Sequence, residues 1–217
     1  MTYLVQRLRL RRASARRARG ERGVAMVEMA IVAPLLALIV GGMVEFGMLW
    51  RDDMTASAST RAAARVASNL GDDNLADYEA LLALDSGLSG LSNLDIEGVL
   101  IYDATAADGE PHPSCFDGSG DPVDSAGRCN YYTTAELAAV STLSCDPPGG
   151  CAEFPDDASC ASGWASYFCP QTRSTDQGTG TTVVGVWVRI QRDYITGILP
   201  GDGVTITDRT VMKVEPR

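Results

Sequence analysis

The longest apolar segment of the chain lies near the N-terminus and predicts a membrane-spanning helix. Residues 29–44 carry no polar side chain, and the apolar segment as a whole covers residues 24–50. A helix rises about 1.5 Å per residue, so residues 24–50 would span roughly 40 Å, enough to cross a hydrocarbon core of about 30 Å. A core helix of a soluble protein keeps one polar face, and this segment has none.

Two-residue alternation of apolar and polar positions near the C-terminus predicts β-strands over residues 183–194 and 204–214. A third strand is expected over residues 94–103. The intervening segment that contains Pro200 and Gly201 favours a turn, so the strands are expected to pair as an antiparallel sheet. One face of the first strand consists of Val184, Val186, Val188 and Ile190.

Alanine-rich residues 51–70 predict that the first helix continues beyond the membrane, and Gly71 suits its C-terminal cap. A second helix is expected to be capped by Asp72 or Asp73 and to run through Asp85. The expected apolar stripe of the first helix is Ala62, Val66 and Leu70. The expected apolar face of the second is Leu75, Tyr78 and Leu82.

Charge divides the chain sharply. Residues 1–22 contain eight arginines and one acid and carry +7, whereas residues 23–217 carry −17. Positive charge next to a membrane helix stays in the cytoplasm, so we expect the C-terminal domain outside the cytoplasmic (inner) membrane.

A basic arm also suits nucleic acid, but the adjoining apolar run favours a topology signal, and no nucleic-acid partner is expected. A cleaved secretory signal ending at residues 56–58 is disfavoured, because charged residues precede that site.

The six cysteines all follow the membrane segment, in the loop-rich residues 104–182. An even number on the exported side predicts three disulfides, and fifteen pairings remain open. Zinc is a poor alternative, since there is no C-x-x-C pair and His112 is the only histidine. The cysteines are Cys115, Cys129, Cys145, Cys151, Cys160 and Cys169.

Catalytic and cofactor motifs are not found in the sequence. His112 lies between prolines in a loop, without a nucleophile motif. Residues 117–121 resemble the start of a calcium loop, but Pro122 and Arg128 stand where glycine and glutamate are needed. We therefore expect no enzyme activity, no cofactor and no metal.

Gly23 and Glu28 form a motif at the start of the apolar run. Arg22-Gly23, followed five residues later by Glu28, resembles the prepilin leader of type IV pilin-like proteins. The resemblance implies that a prepilin peptidase cuts between Gly23 and Val24. It also implies that Glu28, at position five of the mature chain, neutralises the new amino terminus of a neighbouring subunit.

A longer stretch resembles the TadE-like family of the Flp/Tad (tight adherence) pilus system. The similarity lies in Pro34-Leu35-Leu36, in Gly42–Gly47 with its Val-Glu-Phe-Gly ending, and in Val211–Pro216 near the C-terminus. It implies a structural, minor pilin-like (pseudopilin) subunit of pilus assembly or secretion. The implied partners are the lipid bilayer, the peptidase, other pilin-like subunits and the assembly platform, and the protein could enter a surface pilus.

Small residues on the membrane helix predict close packing against another helix, although small residues are also simply frequent in such helices. Pro34 should loosen the first turns, because it lacks a backbone donor. Glu45 is expected at the outer interface, where its carboxylate reaches headgroups and water. The positions concerned are Ala33, Pro34, Ala37, Gly41 and Glu45.

The expected fold class is α+β, with a long N-terminal transmembrane helix that continues into a pilin-like domain. The expected division is a basic cytoplasmic leader (1–23), the transmembrane helix (24–50), a helical continuation with second helix and first strand (51–103), a Cys-rich loop region (104–182) and C-terminal antiparallel strands (183–217).

A permanently anchored binding module or adhesin is the alternative function. It would use aromatic side chains of the Cys-rich region, which otherwise pack against the disulfides. These are Tyr131, Tyr132, Trp164, Tyr167 and Phe168.

Overall fold

The computed structural model describes residues 2–91, 94–106, 108–143, 145, 151, 153–155, 159–178, 180–197, 199 and 201–216, with side chains from residue 23 onward. The chain forms two compact units. The first consists of Met1–Gly47 with Ile195–Pro200, and the second of Met48–Tyr194 with Gly201–Arg217.

Helix α1 (Thr2–Leu70) contributes residues to both units and includes Pro34 in its interior. The expected continuation of the apolar helix through residues 51–70 is confirmed. Gly71 ends the helix with φ of 60°, and its N–H donates to the carbonyl of Ala67 at 3.0 Å. A positive φ carries no steric penalty for glycine, so the predicted C-terminal cap is also confirmed.

A four-stranded antiparallel sheet forms the centre of the second unit, in the order β2-β1-β3-β4. The strands are β1 (Leu94–Asp103), β2 (Cys129–Tyr132), β3 (Val183–Asp193) and β4 (Gly203–Lys213). The three predicted strands and the antiparallel pairing are confirmed, and the α+β class with them. Strand β2 was not predicted, because its four residues, Cys-Asn-Tyr-Tyr, are too few to show an alternating pattern.

One face of the sheet packs against the helices. The alternating residues of β3 (Val184, Val186, Val188 and Ile190) have no exposed surface, as their period predicted. They share a core with the helix α1 alanines Ala56, Ala63, Ala64 and Ala67. Of the predicted stripe on this part of α1, Ala62 is exposed, whereas Val66 is half-buried against this core and Leu70 is half-buried. Small side chains, rather than the larger apolar ones, face the sheet because they let the helix approach it closely.

Helix α2 (Ala76–Leu88) begins two or three residues later, and ends three residues later, than the sequence pattern indicated. Asp73 does not cap the helix itself, because its carboxylate accepts the N–H of Leu75 at 2.9 Å in the preceding turn. Of the predicted apolar face, Leu75 is buried, and Tyr78 and Leu82 are half-buried against the core. The buried face is Ala76, Asp77, Ala80, Leu81, Leu84 and Leu88. Asp77 faces inward because its charge is paired inside the domain.

A short helix, α3 (Thr134–Val140), follows β2 and was not predicted. Its start carries a capping box: the N–H of Thr133 donates to the Glu136 carboxylate at 2.8 Å, and the N–H of Glu136 donates to the Thr133 hydroxyl at 3.3 Å. The Thr-x-x-Glu spacing is visible in the sequence and could have revealed this helix. Two 3₁₀ helices, Pro113–Cys115 and Pro170–Thr172, complete the described elements.

The other face of the sheet carries a smaller core around Tyr102, which is fully buried. Its hydroxyl donates to the carbonyl of Gly109 at 2.8 Å, and burial raises the pKa of Tyr102 to about 12. The Tyr102 ring lies over Gly185, its register partner on β3, so closely that a Cβ at residue 185 would overlap the ring. Glycine is therefore required at this position for steric reasons.

Replacing Gly185 by alanine should lower the free energy of unfolding by about 1–3 kcal/mol, because the new methyl group displaces the Tyr102 ring. Denaturant unfolding of the full-length protein in detergent micelles, with disulfides intact, measures the change. Gly118→Ala is the matched control: an added Cβ there meets nothing within 4 Å. Equal stability of the two variants would contradict the steric explanation.

Candidate functional site on the N-terminal helix

Among the described residues, one helical segment, Gly23–Leu70, is long and apolar enough to cross a membrane, and its most apolar window has no buried residue. Large side chains along it are open to the surroundings; Met26, Ile31 and Met43 are 75%, 71% and 69% exposed. Such a surface is unfavourable in water and favourable in lipid. The segment therefore suggests a single-pass membrane protein.

The predicted processing residues lie on the surface of this helix. Gly23, Val24 and Glu28 are all exposed, and nothing lies within 4 Å of a Cβ built on Gly23. Along the same helix Ala33 and Gly41 are half-buried, whereas Pro34 and Ala37 are exposed. Ala33, Ala37 and Gly41 follow one another at four-residue intervals, which places them along one side of the helix.

The environment of Glu45 differs from the one that the sequence predicted. The side chain has no exposed surface, and its two carboxylate oxygens accept the backbone N–H groups of Ile195 at 2.8 Å and Thr196 at 3.0 Å. The expectation that it reaches water was wrong, because a loop 150 residues later in the chain covers it. Two charge-assisted hydrogen bonds offset the cost of removing a carboxylate from water.

A buried ion pair holds the next part of α1 to the sheet within the second unit. Asp52 pairs with Arg192 near the end of β3, and the two side chains are only 7% and 2% exposed. A second nitrogen of the guanidinium group lies 3.6 Å from the sulfur of Met48. The pairing could not be read from the sequence, which shows Asp52 only as one of several charges after the apolar run.

The C-terminal segment closes against the end of α1. The Ser68 hydroxyl donates to the carbonyl of Lys213 at 2.6 Å, and the Glu215 N–H donates to the carbonyl of Ser68 at 3.0 Å. Val214 is 1% exposed and lies against Gly71. The N-terminal helix and the C-terminal motif, which carried the sequence resemblance from opposite ends of the chain, are thus in direct contact.

Three disulfides are present, which confirms the number expected. They join cysteines that are consecutive along the chain, with Cα–Cα separations of 6.1, 4.6 and 5.9 Å: Cys115–Cys129, Cys145–Cys151 and Cys160–Cys169. Each therefore closes a short loop. The spacing of the cysteines alone did not determine which of them pair.

A buried polar network joins α2 to β2 and the Cys-rich segment. Asp77 lies 2.7 Å from Arg173 and accepts hydrogen bonds of 2.9 Å from Asn130 and Tyr132. Arg173 also donates to the carbonyl of Phe168 and stacks on its ring at 4.5 Å. Burial, reinforced by the Asp77 charge, raises the pKa of Tyr132 well above its usual value. Asp77 and Arg173 were not singled out from the sequence.

The aromatic side chains suggested for an adhesive surface are mostly buried or half-buried in the domain. Tyr132 and Phe168 are buried, Tyr131 and Trp164 are half-buried, and only Tyr167 of the five is exposed, at 47%. Tyr132 and Phe168 are thus core residues of the domain. The structure offers little support for the adhesin alternative.

The polar side chains of His112 and Asp117 form hydrogen bonds within their own loops. His112 Nδ1 lies 2.7 Å from the hydroxyl of Ser114 and accepts that residue's N–H. Asp117 accepts backbone N–H groups of Ser119 and Asp121, which lower the pKa of its carboxyl group. In the part of the chain that the structure describes, no three His, Cys, Asp or Glu side chains are grouped to hold a metal ion.

Comparison with known proteins gives one match. Residues 23–65 match the model of a family described as TadE-like protein. The matched segment covers less than half of the chain, begins at Gly23, and ends within α1. No curated protein and no solved structure matches this chain.

Replacing Asp52 by alanine should lower the free energy of unfolding by about 3–5 kcal/mol, because it leaves the Arg192 charge buried without its partner. The matched control is Asp53→Ala at the adjacent exposed position, with an expected change within about 0.5 kcal/mol. Denaturant unfolding of the full-length chain in micelles measures both. Equal unfolding midpoints would show that the ion pair contributes no stability.

Proposed function

We propose that this chain, whose residues 23–65 match the TadE-like family, is a structural minor pilin-like subunit of a Tad-type pilus system. The observation that carries the proposal is that the family match begins at Gly23, where the candidate leader ends. The exposed apolar helix and the disulfide-bonded domain that follows it suit a subunit held in a membrane before assembly. The proposed role is structural rather than enzymatic.

The proposed orientation has the N-terminus in the cytoplasm and the disulfide-bonded domain outside the cytoplasmic membrane. The +7 charge of residues 1–22 and the −17 charge of the remainder support this direction. The three disulfides do as well, because such bonds persist in oxidising compartments outside the cytoplasm.

Processing is proposed to occur between Gly23 and Val24, by a prepilin peptidase acting as partner. Gly23 is exposed and has open space around its Cα, which suits the close approach of a protease to the backbone. The cut removes the basic leader, residues 1–23, and creates an α-amino group on Val24. The protein then carries a positive terminus and, four residues later, the exposed carboxylate of Glu28.

Assembly is proposed to pair the apolar helices of neighbouring subunits. Close approach along Ala33, Ala37 and Gly41 would replace lipid contacts by helix contacts. In that environment an unpaired carboxylate is costly, so Glu28 would select the axial register in which it meets a neighbour's amino terminus. The assembly platform and other pilin-like subunits are the remaining proposed partners.

The first test is the N-terminal sequence and intact mass of the protein isolated from its native membrane. The wild-type chain should begin at Val24, whereas Gly23→Ala and a strain without the prepilin peptidase should retain residues 1–23. Gly20→Ala is the matched control and should be processed normally. A wild-type protein that keeps its leader would refute processing and favour a permanent anchor.

Glu28→Gln should leave processing intact but reduce incorporation into sheared fibres by about tenfold, the change expected for loss of about 1.4 kcal/mol of pairing energy. Quantitative immunoblotting of fibre and membrane fractions measures the ratio. Glu21→Gln is the matched control, since that residue would be removed with the leader. Normal incorporation of Glu28→Gln would exclude the proposed pairing.

A further inference from the structure

The loop between β3 and β4 has an unusual composition for a hairpin tip. Residues 194–201 read Tyr-Ile-Thr-Gly-Ile-Leu-Pro-Gly, contain no charged side chain, and are bounded by Asp193 and Asp202. Hairpin connections in water are normally rich in polar turn residues. In this loop Ile195 is instead 47% exposed, and its aliphatic surface is not covered by the chain.

Glu45 attaches this loop to the apolar part of α1. Ile195–Pro200 belongs to the same compact unit as Met1–Gly47. The Glu45 carboxylate is fully buried and accepts the adjacent N–H groups of Ile195 and Thr196. The loop therefore lies beside α1 at the level of Glu45, and its two backbone N–H groups stabilise the buried carboxylate by hydrogen bonds.

The position of Glu45 along the helix places this contact at a membrane boundary. A helix from Val24 to Glu45 is roughly 32 Å long, close to the hydrocarbon thickness of about 30 Å. With residue 24 at the cytoplasmic boundary, Glu45 reaches the outer boundary. The neighbouring Met43 and Phe46 are 69% and 66% exposed, so apolar surface of the helix continues to this level.

We propose that the β3–β4 loop is a lipid-contacting element that enters the outer headgroup–acyl boundary, and that Glu45 is the residue that positions it. The exposed Ile195 and the half-buried Leu199 supply the aliphatic contacts, and the occupant of their accessible surface is the bilayer that α1 spans. Continuity with the exposed apolar helix argues for lipid. The inference rests on the membrane orientation in the proposed function, but not on processing or fibre assembly.

Depth-dependent fluorescence quenching tests the lipid contact. The full-length chain carrying Ile195→Trp is reconstituted in phosphatidylcholine bilayers brominated either near the top of the acyl chains or near their ends. The emission added over wild type, which contains Trp50, Trp164 and Trp187, should be quenched at least about twofold more by the shallow bromines, as expected for insertion of about 5–10 Å.

Tyr167→Trp is the matched control, because Tyr167 is equally exposed at 47% but lies in the Cys-rich region. Its added emission should be insensitive to bromine. If the Ile195→Trp emission is equally insensitive, the lipid contact is refuted. If that emission changes with protein density rather than with bromine, a second copy covers the loop and the proposal is also overturned.

Glu45→Ala in the Ile195→Trp chain tests the positioning role. Shallow quenching of the added emission should fall toward that of the Tyr167→Trp control, and Glu45→Gln should restore part of it, since an amide oxygen still accepts an N–H. Near-ultraviolet circular dichroism confirms that each variant is folded. Unchanged quenching in folded Glu45→Ala would exclude Glu45 as the positioning residue.

Failure of this inference is distinguishable from failure of the proposed function. A loop that avoids lipid in a chain that resists alkaline extraction refutes only the loop contact. A chain that alkaline extraction releases from the membrane refutes the membrane placement on which both depend.

Discussion

The short side chains on the sheet-facing side of α1 set the distance between helix and sheet in the second unit. Ala56, Ala63, Ala64 and Ala67 are almost completely buried, and a larger residue at any of them would push the helix outward. At this distance the Thr60 hydroxyl reaches Asp208 on β4, and Ser68 reaches the backbone of the C-terminal segment. The polar contacts between helix and sheet therefore depend on the alanines beside them.

The Cys-rich region is ordered by a different means. It contributes scattered buried residues such as Leu137, Val140 and Phe154 to the main core, and it is also held by three short-range disulfides together with the charge of Asp77. The Asp77 carboxylate forms an ion pair with Arg173 and accepts hydrogen bonds from Asn130 and Tyr132. The site is buried, so a carboxylate without these partners would destabilise the fold. Loops without a hydrophobic pattern can thus keep a defined position next to α2 and β2.

Three acidic residues on α1 have three different environments, and these differences bear on function. Glu28 is exposed, and in the proposed assembly it pairs with the amino terminus of a neighbouring subunit. Glu45 is covered by the chain's own loop, and Asp52 is paired with Arg192. An acid that is hydrogen-bonded or paired within the chain stabilises the fold, whereas the acid left exposed on the apolar helix is the one that the proposed assembly uses.

Local pattern was enough to predict much of the architecture. The apolar run, the alternating residues of β1, β3 and β4, and Gly71 depend on neighbours along the chain, so the long helix, these three strands and the C-terminal cap were predicted correctly. The tertiary structure alone decided which helix faces are buried, which cysteines pair, and what surrounds Glu45, Asp52 and Asp77. Those outcomes depend on groups far away in sequence, such as Ile195, which lies 150 residues after Glu45, and a periodic pattern contains no information about such partners.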